Sequence, residues 1–131
     1  MMKTKANKNI QSAQILIDQK QYTSSVHCSY YAVFQYMKHM LANTDKNPIT
    51  LANQDAHKGD SSHEYILIEI KNRINARPHL VRAFTETLRL LKNERVEADY
   101  HQREFDDVEV LTCKNRAEGL IANLKTFFGN I

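Results

Sequence analysis

A chain of 131 residues with 42% hydrophobic and 25% charged side chains and a net charge of +3 has the composition of a globular domain, long enough to bury one core without disulfide or metal staples. No apolar run approaches the ~20 residues that span a bilayer, and the opening Met1-Met2-Lys3-Thr4-Lys5 leads into polar residues rather than a signal-peptide core, so a single cytoplasmic domain over residues 1–131 is expected. Cys28 and Cys113 both fall inside helical patterns without Cys-x-x-Cys spacing, which predicts two free thiols in a reducing compartment.

In chain order, Ile10, Ala13 and Ile17 make the inner stripe of a first helix from about Lys5 to Ile17, with Ala6 and Leu16 beside it. Asp18 to Gln21 is a polar turn, short enough to make the flanking helices antiparallel neighbours. The stretch from Tyr22 to Ala42 is the centre of the chain. Val26, Tyr30, Val33, Met37 and Met40 recur four and three residues apart, Phe34 and Leu41 widen the stripe, and neither Gly nor Pro interrupts it. Ser25, Ser29 and Ala32 form a small flank that a neighbouring helix can approach. Tyr31 lies about 100° round the helix from Tyr30 and is expected to face a boundary or a partner.

Asn43 to Asp60 is a long polar connection, in which Ile49, Leu51 and Ala52 form at most one packed turn. Ser61-Ser62-His63-Glu64 has the form of a capping box, and Ile66, Leu67, Ile70 and Ile74 follow it on a helix that Pro78 stops or kinks. Leu80, Phe84, Leu88 and Leu91 give the next stripe, running into Arg95-Val96-Glu97-Ala98-Asp99-Tyr100-His101. Asp106 or Asp107 caps a last helix with Ala117, Leu120, Ile121, Leu124 and Phe128 inward. Gly119 within it suggests a close helix approach, and Gly129 a C-terminal cap. With no alternating strand pattern and no repeat, the expectation is an all-α antiparallel four- to five-helix bundle.

Charge is uneven along the chain. Lys71, Arg73, Arg77, Arg82, Arg89, Lys92 and Arg95 face only Glu86 and Glu94, so this segment carries +5 and the remainder −2. Clustered Lys and Arg create the field that attracts phosphates, and Arg82 and Arg89 are the candidate contacts. The six histidines show no metal-ligand spacing and are expected at the surface or its boundary. Three glycines leave no phosphate-cradling loop, and no cofactor is indicated.

Three blocks in order give the chain a family resemblance: Ala13-Gln14-Ile15-Leu16 with Gln21-Tyr22-Thr23-Ser24-Ser25; Ser29-Tyr30-Tyr31-Ala32-Val33-Phe34; and Arg95-Val96-Glu97-Ala98-Asp99-Tyr100. Together they resemble the HEPN family of small helical domains often encoded beside minimal nucleotidyltransferases, and a final amphipathic helix with Ala117 near its middle fits too. The resemblance implies a homodimer, a nucleotidyltransferase partner in a toxin–antitoxin or defence-type pair, and a nucleotide or RNA ligand. Catalytic members are metal-independent ribonucleases marked by an Arg followed after four to six residues by a His. Arg95 and His101 match that formula, with Asp99, Tyr100 and Tyr31 as neighbouring binding residues. Histidine moves a proton near neutral pH, and arginine stabilises charge on a phosphate.

Two other readings stay open on these residues. Positions six apart on a straight helix diverge by about 120° and ~9 Å, so the pair converges only if the helix ends or bends between them or a second copy completes the site. Arg73 and His79 have the same spacing. Arg95 and Asp99, at i and i+4, also suit an internal clamp with the Tyr100 hydroxyl on a backbone carbonyl over the bundle end. The chain is then a non-catalytic module binding nucleotide, RNA or a partner protein, or a plain helical interaction domain.

Overall fold

A computed structural model of the chain describes residues 1–57, 62–74 and 76–131. Among these residues six helices follow one another: α1 (Met2–Asp18), α2 (Tyr22–Asn43), α3 (Leu51–Ala56), α4 (Ser62–Arg73), α5 (Pro78–Tyr100) and α6 (Asp107–Phe128). No strand occurs among the described residues, so the chain is all-α, a bundle built on four long helices. None of its described helices is long and apolar enough to cross a membrane.

α2 touches each of the other five helices, which its sequence explains. Val26, Tyr30, Val33, Met37 and Met40 are at most 1% exposed, each contributing roughly 1.5–3 kcal/mol of burial. Its small flank of Ser25, Ser29 and Ala32 is also buried, as are Ala6 and Ala13 of α1. Small side chains on both helices let their backbones run close. Asn9 Nδ2 donates to Gln35 Oε1 across this pair at 2.8 Å. The connecting turn places Lys20 at φ 59°, a left-handed conformation that costs a non-glycine residue about 1 kcal/mol, and Gln21 N donates to Leu16 O at 2.7 Å.

Pro78 occupies the first turn of α5, where its missing donor costs nothing, so α4 and α5 are separate helices rather than one kinked rod. Asp106 caps α6: its carboxylate accepts from Glu109 N at 2.7 Å, and the Glu109 side chain accepts from Asp106 N at 3.1 Å. Gly129, at φ 83°, terminates the helix. The connection after α2 is more ordered than its polarity suggests, since Thr50 caps α3 and buried Gln54 donates to the carbonyls of Lys38 and Ile49. The capping box expected at Ser61 to Glu64 includes Ser61, outside the described residues, as are Lys58 to Asp60 of that connection.

Several expectations are corrected. α1 begins at Met2, three residues before the apolar stripe gives any sign of it. Leu80 is 45% exposed in the first turn of α5, where no described helix covers it. Gly119 is exposed with nothing among the described residues within 4 Å of where a Cβ would stand, so no described helix approaches there. His39 is buried rather than peripheral, with Nε2 donating to Ile131 O at 2.9 Å and its ring 3.2 Å from Asn43 Nδ2.

Candidate functional site

Arg95 stands on the face of α5 that meets α2, and its burial follows from that position. The residue is only 6% exposed. Its guanidinium carbon lies 5.0 Å from the ring centroid of Tyr30, 5.5 Å from that of Tyr31 and 5.9 Å from that of Tyr100, a cation boxed by aromatic faces. One nitrogen donates to Asp99 Oδ2 at 3.4 Å, while Nε has no hydrogen-bond partner among the described residues. Asp99 in turn holds a residue 72 positions away: His27 Nδ1 lies 3.0 and 2.9 Å from its two oxygens. The His27 ring leans on Tyr31, centroids 4.6 Å apart.

α4 closes the inner side of this cluster. The Tyr30 hydroxyl is 2.6 Å from His63 Nδ1, and the His63 ring stacks on Phe34 at 4.2 Å. Burial, helped by the positive charges of Arg95, Lys92 and Lys38, lowers the His63 pKa to about 4. Burial pushes the Tyr30 hydroxyl well above its usual range. Both shifts assign the bond one direction: a protonated Tyr30 donates to a neutral imidazole.

Of the residues singled out from sequence, Arg95, Asp99, Tyr100 and Tyr31 converge. His101 does not join them. It caps the end of α5 in extended conformation (φ −126°, ψ 166°) and is exposed, making no side-chain hydrogen bond or ring contact among the described residues. The helix does end between Arg95 and His101, yet Arg95 points into the fold. Tyr100 does not seal the bundle end as a clamp would require: it is 72% exposed and its hydroxyl bonds to no carbonyl among the described residues. Tyr31 is half-buried against the core, at the boundary its position on the helix predicts.

Arg82 and Arg89 lie elsewhere. With Lys71, Ala76, Pro78, Val81, Thr85 and Glu86 they line an open groove of about 480 Å³, and Arg89 reaches Glu64 at 3.1 Å. The basic segment is thus divided. Arg73 is spent on the carbonyls of Lys46 and Asn47 and on Glu69, Arg95 is enclosed, and Lys71, Arg77, Arg82 and Lys92 have no ion pair among the described residues. No group of three or more His, Cys, Asp or Glu able to hold a metal occurs among them either.

Two functional candidates, His27 and His63, escape the motif reading. The signal for His27 was present: with Tyr31 and Phe34 it continues one face at i, i+4, i+7. The family model described as HEPN domain matches residues 1–126. No curated protein matches the chain.

Proposed function

We propose, for a chain that belongs to the HEPN domain family, that it is the helical partner of a minimal nucleotidyltransferase in a toxin–antitoxin or defence-type pair. In this reading it acts as a homodimer and cleaves RNA without a metal at the edge between α2 and α5. One observation carries it: an imidazole, a carboxylate and a guanidinium meet there beside the exposed ring of Tyr100. An imidazole can move the ribose proton, a carboxylate ordered by a guanidinium holds that imidazole in place, and an exposed aromatic face stacks an unpaired base.

A second reading is favoured by a different observation. Arg95 is enclosed and His101 stands apart from it, while Lys71, Arg82 and Arg89 line an open groove. The protein is then a non-catalytic module that binds RNA, nucleotide or its partner through that groove.

Incubating the pure protein with structured RNA in chelator separates the two. Cleavage abolished by Arg95→Ala supports the first. No cleavage, with salt-dependent binding weakened by Arg82→Glu or Arg89→Glu, supports the second. A protein that neither cuts nor binds removes both. Light scattering at micromolar concentration that gives the mass of one chain refutes the homodimer.

A further inference from the structure

We propose that His27, rather than His101, is the proton-transferring imidazole of this site, with Asp99 and Arg95 as its positioning residues. The inference rests on the RNA-cleavage reading above and names the group that performs its first step.

Nδ1 of His27 lies within 3.0 Å of both oxygens of Asp99. An ionised carboxylate only accepts hydrogen bonds, so Nδ1 carries the hydrogen and the Nε2 lone pair is left free. The His27 side chain is 47% exposed, so a substrate hydroxyl reaches that lone pair from solvent. Asp99 is itself held: its side chain is 20% exposed, and Oδ2 accepts from the Arg95 guanidinium at 3.4 Å. Arg95 is fixed by the aromatic faces around it. The chain of support from core to imidazole therefore runs through side chains on two long packed helices, the arrangement that holds a reacting group to a fraction of an ångström. His101 has no such support.

The step balances without a co-reactant. Nε2 of His27 takes the proton of a ribose 2′-hydroxyl while the 2′ oxygen bonds to the adjacent phosphorus. The bond from phosphorus to the 5′ oxygen breaks, its electron pair leaves with that oxygen, and water protonates it. The hydroxide so formed takes the proton back from the imidazolium. The products are a 2′,3′-cyclic phosphate and a 5′-hydroxyl, and the exposed ring of Tyr100 offers the stacking face for a neighbouring base.

The test uses the full chain, a fluorescent single-stranded RNA and excess chelator. His27→Gln keeps an N–H for Asp99 but has no base, and it should lower kcat about 100-fold or more with an unchanged melting temperature. Free imidazole should restore activity to His27→Ala. Asp99→Asn should lower kcat without raising KM, and Asp99→Glu should recover part of it, which a merely structural role would not produce. His79→Ala, remote from the cluster, should cleave as wild type does. Cleavage that survives in His27→Gln but is lost in His101→Ala overturns this assignment and leaves the ribonuclease reading standing. A wild-type protein that cleaves no RNA removes both.

Discussion

Arg73 and Arg95 have the same local signature, an arginine with a histidine six residues on, and the fold treats them differently. At the end of α4 every nitrogen of the Arg73 guanidinium is engaged: Nε and one terminal nitrogen donate to the carbonyls of Lys46 and Asn47, the other to Glu69. It staples the segment after α2 to the bundle, and His79 lies exposed past a helix break. Arg95 is as buried but incompletely used, with Nε unpaired among the described residues and a carboxylate partner that passes the contact on to His27. A guanidinium whose donors are all spent on backbone carbonyls and a carboxylate of its own helix is structural; one that orders a carboxylate holding an exposed imidazole organises a site. Spacing alone does not distinguish them.

That contrast can be broken most visibly at the staple. Arg73→Ala should cost about 3 kcal/mol, since it removes five hydrogen bonds at once, lowering the melting temperature by roughly 12 °C while RNA cleavage at low temperature persists. A shift under about 3 °C would mean the staple carries little. Arg95→Ala should cost less, about 2 kcal/mol, because it removes one long ion pair and the cation–aromatic contacts; unlike Arg73→Ala it should also abolish cleavage. Equal stability losses and equal activity in the two variants would erase the distinction.

The His63 imidazole gives a weaker, pH-dependent effect. Its folded pKa of about 4 lies below the ordinary 6.5, so the unfolded chain takes up a proton first as pH falls. The stability held above pH 6.5 is therefore lost progressively between 6.5 and 4. Melting curves across that window should fall more steeply for wild type than for His63→Phe, and parallel slopes would contradict the assigned neutral imidazole. Smallest of all, His79→Ala and His101→Ala should each stay within about 0.5 kcal/mol of wild type, as urea titration would show.

Much of the fold was legible because helix periodicity records which face is buried. The α2 stripe, the break at Pro78, the Asp106 cap and the Gly129 terminus are all local signals, and each appears in the structure. Leu80 was misread because an apolar stripe does not show where the neighbouring helix stops. Gly119 was misread because glycine marks a permitted approach, not an actual one. The site was half legible. Arg95 and Asp99 are four apart on one helix, but their link to His27 spans 72 residues, and that of Arg73 to Lys46 spans 27. Such pairings depend on how helices dock, and no single-helix pattern encodes them.

α4 takes its main packing from α2 and buries Ile66, Leu67 and Ile70 in the core, with the rings of His63, Tyr30 and Phe34 meeting at its start and Arg73 at its far end. A helix of 12 residues that buries only three apolar side chains and is fastened at its ends by polar groups can detach while the rest of the bundle stays folded. Its amides should then exchange with deuterium well before those of α2. Acid that protonates His63 should hasten that opening, leaving Tyr30 and the inner face of Arg95 wet before the molecule as a whole comes apart.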